Sequence, residues 1–260
     1  MSHFKFIIGH VRPQLKFPES FRLVTQEQVE PTDYKVDTTE IQKVGLSDRR
    51  IGEYMYLFAL RRKLEKSNPS ASVTVAQYRR FVSSKTIGQV AQNMTYARTV
   101  TNQELNEHDL ESLLKPSQGQ WLISSSVRMQ ASVVDQYAKH HILRDWYRFL
   151  ADGIDSGALT NEEARQASLT SLLIPAPSNG VFPIAVLVKH LTTLETVAQA
   201  FINGGFVERE EYQRRSLGFC LERLHSFLVL QEVLKSGLKL ENVSGYQTVL
   251  SDSEVVKATV

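Results

Sequence analysis

Residues 73–81 read VTVAQYRRF, a β-branched run that passes directly into a tyrosine and two arginines. The run from Val73 to Gln77 predicts a short buried strand. In open α/β sheets, side chains at the carboxyl end of a central strand line the ligand crevice. Arg79 and Arg80 are therefore candidates for binding a diphosphate through planar, bidentate donors. The alternative is that the pair is a solvated surface feature, as most Arg-Arg pairs are.

Strand and helix signals alternate on both sides of this segment. Further strands are expected at 4–9, 94–100, 121–124 and 172–175, and helices at 49–66, 103–115, 132–140, 141–155, 161–168, 184–202 and 208–235. This order favours an α/β fold, a Rossmann-like domain with a mostly parallel central sheet and a helix-rich C-terminal part. We expect one domain over residues 1–260, with 236–260 as a peripheral tail.

Composition restricts the class of protein. The chain has 260 residues, of which 42% are hydrophobic and 22% charged, ordinary values for a globular protein. A net charge of +2 gives no bulk attraction for nucleic acid, so no nucleic-acid partner is expected. The single cysteine, Cys220, suits a reducing compartment, and no stretch approaches the roughly 18 apolar residues of a membrane span. We expect a soluble, cytoplasmic protein, with peripheral membrane contact and homo-oligomers left open.

Glu53 interrupts an apolar helix stripe. It shares a helical row with Leu57, Leu60 and Leu64, where a carboxylate is costly unless it is paired or hydrogen-bonded. One interpretation is a functional carboxylate near a cleft. The other is a charge placed in the first turn of the helix, where the dipole favours it.

The last long helix carries a second polar row. Beside the stripe of Leu217, Leu221, Leu224 and Leu228 lie four residues at helical spacing, which are Arg215, Gly218, Glu222 and His225. Glycine within a helix costs about 1 kcal/mol relative to alanine, so Gly218 indicates close approach of a backbone or a ligand. Either the row marks a helix crossing with ordinary ion pairs, involving Arg215 or Arg223, or Glu222 takes part in catalysis.

Other candidates are weaker, and several motifs are missing. His141 follows His140 at a helix junction, and Asn179 lies in a proline-bounded loop that is typical of a turn. No phosphate-binding glycine loop and no H-E-x-x-H motif is found. Asp252 and Glu254 have D-x-D-like spacing but lie in the tail, so no metal ligand is assigned. Cys220 is expected in the core rather than as a nucleophile.

Five segments in register resemble one family, the domains of unknown function associated with capsular and exopolysaccharide synthesis and regarded as glycosyltransferases of the GT-A type. These segments are Phe6–His10, Glu53–Arg61, Gln77–Phe81, Tyr137–His141 and Leu217–Leu224. The resemblance covers about residues 4 to 235. It implies a GT-A-like fold, a nucleotide-sugar donor, and a saccharide, lipid-linked or small-molecule acceptor.

The resemblance also suggests roles for single residues. His10, Tyr78, Arg79 and Arg80 would bind the donor, and Glu53 or Glu222 would act as the base. Gln77, His141, Asn179, Arg215 and Arg223 are further cleft candidates. Gln77 stands where the family has histidine, and residues 178–182 also depart from the family pattern. These departures keep two alternatives open, namely other biosynthetic chemistry on the same scaffold and a non-catalytic binding or regulatory protein. Without a secure D-x-D, metal-independent action is favoured.

Overall fold

The computed structural model describes residues 3–9, 17–27, 30–92, 94–116 and 119–251. Its strands are β1 His3–Ile8, β2 Arg22–Thr25, β3 Tyr34–Lys35, β4 Ser72–Gln77, β5 Arg80–Ser83, β6 Gln89–Ala91, β7 Met94–Val100, β8 Leu122–Ser124, β9 Val127–Arg128, β10 Leu172–Leu173, β11 Gly180–Pro183 and β12 Ser244–Leu250. Its α-helices are α1 Thr39–Lys43, α2 Asp48–Ile51, α3 Tyr54–Leu64, α4 Asn102–Asn106, α5 Leu110–Leu113, α6 Val133–His140, α7 Leu143–Asp155, α8 Asn161–Leu169, α9 Ile184–Asn203, α10 Ser216–Lys235 and α11 Leu240–Val243. A 3-10 helix, Glu211–Arg215, precedes α10.

The central sheet is mixed, which corrects the prediction of a mostly parallel sheet. Its order is β3-β2-β1-β4-β11-β8-β12-β7-β6, with β5 pairing both β12 and β4. Strands β3, β2, β1 and β4 are mutually parallel, as are β8, β12 and β7. Strand β11 separates these two groups and runs antiparallel to both of its neighbours. The sequence predicts a proline-bounded loop around Asn179 and a helix from residue 184, and it gives no signal for the short strand β11 between them.

The predicted peripheral tail is also corrected. Residues 244–250 form β12, which lies between β8 and β7 inside the sheet and also pairs with β5. Because β12 pairs with three other strands, it is part of the central sheet. Residues 252–260, including Asp252 and Glu254, lie outside the described residues.

Two apolar layers cover the two faces of the sheet. Successive residues of β1 point to opposite faces, so Phe6 and Ile8 join the larger cluster, whereas Ile7 joins the smaller one. The larger cluster contains the buried sides of α3, α7, α9 and α10. The smaller cluster receives Leu105 of α4 and Leu110 and Leu113 of α5. The α/β class is therefore as predicted, with helices on both faces.

The helix predicted over 49–66 is broken in two at Gly52, which has φ +57°. This break separates α2 from α3 and places Glu53 immediately before the first residue of α3. Gly218 of α10 packs against α2, and a Cβ at this position would lie 3.3 Å from the backbone oxygen of Arg50. Gly218 therefore permits the close helix crossing that its sequence position indicated. In the part of the chain that the structure describes, no helix has both the length and the apolar character needed to cross a bilayer.

Candidate functional site

The candidate site lies at the point in the sheet where the strand order changes direction, at β1. Strands β2 and β4 flank β1 on opposite sides, and Ile8 is in register with Gln77 at the ends of β1 and β4. Ligands of open α/β sheets bind outside the carboxyl ends of strands at such a switch point. The ring of Tyr78 covers Gly9 there so closely that a Cβ on Gly9 would lie 2.7 Å from it. His10, a predicted donor-binding residue, lies outside the described residues.

Arg79 and Arg80 follow directly from the end of β4. Tyr78 and Arg79 form a two-residue turn, because Gln77 pairs with Arg80 at the start of β5. The Arg79 guanidinium carbon lies 5.4 Å from the centre of the Tyr78 ring. Burial lowers the pKa of Arg79, and the charge of Arg80 lowers it further. Two partly desolvated cations side by side form a favourable position for an anion.

Neither arginine side chain is neutralised by a hydrogen-bonded acid among the described residues. The Arg80 Nε is buried and has no hydrogen-bond acceptor in this part of the chain. A buried donor without an acceptor is costly, so it points to a group that binds there from outside. The prediction that this pair follows a strand at the sheet edge is confirmed, whereas its role in binding stays a prediction.

The two arginines open into a cleft of about 930 Å³. The hairpin of β6 and β7 forms one wall, and the end of α6, the 3-10 helix and the start of α10 form the other. Of the predicted site residues, this cleft is lined by Arg79, Arg80, His141, Glu222 and Arg223. Five of the predicted residues, distant in sequence, thus share one cavity large enough for a nucleotide-sized ligand.

Glu53 is held beside this cleft by two hydrogen bonds. Its carboxylate accepts one from Ser178 Oγ at 2.8 Å and one from Gln77 Nε2. Its position at the start of α3 agrees with the dipole interpretation, but its side chain forms no capping hydrogen bond. The carboxylate is instead bound to the end of β4 and to the loop before β11. Gln77, which replaces the histidine of the resembled family, is here a donor to Glu53.

Glu222 is a carboxylate that lines the cleft, and its pKa is shifted from the usual value. Burial raises the pKa of Glu222, and the nearby charge of Glu53 raises it further. The guanidinium groups of Arg223, Arg215 and Arg80 act in the opposite direction on the same pKa. No hydrogen bond joins the Glu222 side chain to another described residue. A carboxylate with a raised pKa and free oxygens has the properties of a general base.

Arg223 and Arg215 differ from each other in burial and in hydrogen bonding. Arg223 donates from Nε and Nη2 to Gln136 Oε1, at 3.1 and 2.7 Å, and from Nη1 to the Phe219 carbonyl oxygen at 2.8 Å. Its donors are therefore largely used inside the protein. Arg215 is exposed, and its guanidinium carbon lies 5.9 Å from the centre of the Phe219 ring. The Arg215 side chain also approaches Gly52, because a Cβ on Gly52 would lie 2.7 Å from Arg215 Nη2.

Asn179 is fully buried and His141 half-buried, and of the two His141 lines the cleft. Burial lowers the pKa of His141 to about 4, with Arg223 and His140 contributing. Asn179 is fully buried, and neither its Oδ1 nor its Nδ2 has a hydrogen-bond partner among the described residues. Its backbone nitrogen donates to the Ala176 carbonyl at 2.9 Å, which confirms the predicted turn.

The whole fold is similar to one solved structure, the apo structure of WbbM, described as a bifunctional glycosyltransferase. The TM-score is 0.70 at 11% sequence identity, and the match covers 96% of this chain. At this level of identity the similarity is one of fold alone. The chain spans 46% of the length of the WbbM chain, so less than half of that protein is represented. No family model matches the sequence, and no curated protein matches it either.

Several cleft residues were missed in the sequence. They are Gln89, Gln92, Tyr96, Thr99, Gln136, Tyr212 and Phe219. Four of these belong to the hairpin of β6 and β7 or its turn, and no local signal had marked that wall. Within the described ranges no group of three metal-ligating side chains is found, and the D-x-D-like residues lie outside them. Metal independence therefore stays a prediction.

Proposed function

We propose that this chain is a glycosyltransferase domain that uses a nucleotide-diphosphate sugar as donor. The observation that carries the proposal is the pair Arg79 and Arg80 at the switch-point edge of a glycosyltransferase-like sheet, opening into the same cleft as Glu222. Guanidinium groups bind phosphate oxygens in bidentate geometry, and the buried Nε of Arg80 has no acceptor among the described residues.

In this proposal the acceptor hydroxyl oxygen attacks the anomeric carbon of the donor sugar. The bond from that carbon to the diphosphate oxygen breaks, and its electron pair leaves with the diphosphate. Arg79 and Arg80 stabilise the negative charge that develops on the leaving group. The hydroxyl proton passes to a carboxylate, for which Glu222 is better suited than Glu53.

The choice of Glu222 rests on hydrogen bonding and charge. Both Glu53 oxygens already accept hydrogen bonds, from Ser178 and Gln77, so they are partly occupied by donors within the protein. Glu222 has a raised pKa and lines the cleft. Glu53 then acts as a positioning residue, whose charge helps to keep the pKa of Glu222 high.

Calorimetric titration with uridine diphosphate and guanosine diphosphate tests the donor site. We expect one of them to bind, and Arg79→Ala and Arg80→Ala each to weaken binding about 10- to 100-fold, the effect of losing a charge-assisted hydrogen bond. Arg128→Ala, which removes an exposed arginine of β9 outside the cleft, is the control and should change nothing. Unchanged affinity in both cleft variants would contradict the proposal.

A further inference from the structure

Three aromatic rings pack against one another on one wall of the cleft. His141 and Phe219 are the closest pair, with ring centres 4.2 Å apart and planes 24° from parallel. Tyr212 lies 5.8 Å from His141 at 19° and 4.9 Å from Phe219 at 34°. All three line the same cavity as Arg80 and Glu222. We refer to Tyr212, His141 and Phe219 as the aromatic stack.

The aromatic stack is backed by a buried ring and is exposed at Tyr212. Phe219 is 9% exposed, and Tyr137, which is fully buried, lies behind His141 with ring centres 4.8 Å apart. Tyr212, by contrast, is 64% exposed. Burial keeps the pKa of His141 at about 4, so the imidazole is neutral at pH 7 and the stack carries no charge. Its free surface is therefore a neutral aromatic platform.

The opposite wall of the cleft offers uncharged hydrogen-bonding groups. Gln89 of β6, Gln92 of the following turn, and Tyr96 and Thr99 of β7 all line the cavity. A pyranose ring has an apolar face of C–H groups and a rim of hydroxyl groups, so it fits between an aromatic surface and neutral amides or hydroxyls. Two cations lie near the aromatic wall: Arg223 lines the cavity, and the Arg215 guanidinium carbon is 5.9 Å from the centre of the Phe219 ring. Arg223 donates to Gln136 and to the Phe219 carbonyl oxygen, so most of its donors are used within the protein.

Phe219 also fixes where the stack lies relative to the carboxylate. Phe219 and Glu222 are three residues apart on α10, so they lie on one face of the helix, and both line the cleft. A ring resting on the stack thus has its hydroxyl rim next to Glu222. This adjacency favours an acceptor over the nucleobase of the donor.

We infer that the aromatic stack is the acceptor subsite and that it binds a saccharide ring. The inference deepens the proposed function and rests on it, because the bound saccharide is an acceptor only if the chain is a glycosyltransferase. Binding of a saccharide can nevertheless be measured without any turnover. It assigns to Tyr212, His141 and Phe219 a substrate contact different from the one proposed for the two arginines of the donor site.

Saturation-transfer NMR with three methyl glycosides, of glucose, galactose and mannose, tests this inference. We expect saturation of at least one glycoside, strongest on the ring C–H protons of one face. In Tyr212→Ala its affinity should fall about fivefold, the size expected for one aromatic contact, and Tyr212→Phe should retain it. Tyr147→Ala, which removes an exposed tyrosine of α7 outside the cleft, is the matched control.

The same variants are titrated with uridine and guanosine diphosphates to separate the two proposals. Unchanged nucleotide binding together with weaker glycoside binding in Tyr212→Ala supports the acceptor subsite. Loss of nucleotide affinity in Tyr212→Ala would instead place the nucleobase on the stack and overturn the inference. So would the lack of binding of all three glycosides, or equal binding in Tyr212→Ala and the wild-type chain. Glycoside binding without any nucleotide binding would overturn the donor assignment and leave the saccharide site standing.

Discussion

Ser178 Oγ donates a hydrogen bond of 2.8 Å to Glu53 Oε1, across 125 positions of sequence. This contact joins the loop before β11 to the first turn of α3, on the side of the sheet where β4 ends. It explains why two carboxylates close enough to influence each other have different properties. Glu53 accepts hydrogen bonds from Ser178 and Gln77, whereas no described residue donates one to the Glu222 side chain, and the charge of Glu53 raises the pKa of Glu222.

Glu222→Gln should abolish sugar transfer while leaving donor binding intact. A positioned general base typically contributes about 10²- to 10⁴-fold to the rate, and the amide cannot accept the proton. The measurement is single-turnover transfer followed by product mass, together with nucleotide titration. Glu241→Gln, on the exposed surface of α11, serves as control. Transfer at the wild-type rate would exclude Glu222 as the base.

Glu53→Gln should move the acidic limb of the pH–rate profile to lower pH. The base must be ionised, so the rate falls as pH drops through the pKa of Glu222, which lies above that of an ordinary glutamate. Removing the negative charge of Glu53 removes one cause of that increase, and the pKa of Glu222 falls. The profile of kcat/KM against pH measures the shift. A limb displaced to higher pH would contradict the coupling.

Gly180→Ala should be far more destabilising than Gly157→Ala. Both glycines have positive φ, +138° and +72°, which costs a residue with a side chain about 1–2 kcal/mol. A Cβ at Gly180 would also lie 2.0 Å from the Leu122 carbonyl oxygen in the neighbouring strand, whereas nothing lies within 4 Å of a Cβ at Gly157. Urea unfolding of the two variants compares the losses. Similar values would mean that β11 does not approach β8 this closely.

His190 should make the protein less stable in mild acid. Burial lowers the pKa of His190 to about 4, against 6.5 for the unperturbed group, although Glu232, 4.0 Å away, acts in the opposite direction. Between these values the unfolded chain binds a proton that the folded chain does not, so stability falls as pH decreases from 6.5 towards 4. At pH 5 this amounts to about 2 kcal/mol.

Unfolding of wild type and His190→Gln at pH 7.5 and pH 5.0 provides the test. The difference between the two pH values should shrink by about that amount in His190→Gln, whatever the variant's stability at pH 7.5. His225 is also buried, with its pKa lowered well below the usual value, and should retain its own share of the acid sensitivity. The exposed His108 provides a control variant, His108→Gln.

Features that depend on near neighbours were determined by the sequence itself. The run Val73–Gln77 forms the predicted strand, and Arg79 and Arg80 follow it at the sheet edge. Thr160 and Glu163, three residues apart, form a capping box at the start of α8. Cys220 lies in the core, as expected, and burial raises its pKa to about 12. Each of these follows from helix or strand periodicity, or from capping, over a few residues.

Only the tertiary structure decided which distant segments meet. The reversed strand β11, the insertion of β12 between β8 and β7, and the hairpin wall facing the aromatic stack all depend on pairings between residues far apart in sequence. The same is true of the contact between Ser178 and Glu53. Local propensity is nearly the same for a short strand in any of several sheet positions, so it selects the element but not its partner. The direction of the sheet strands and the different hydrogen bonding of the two carboxylates therefore came from the packed chain alone.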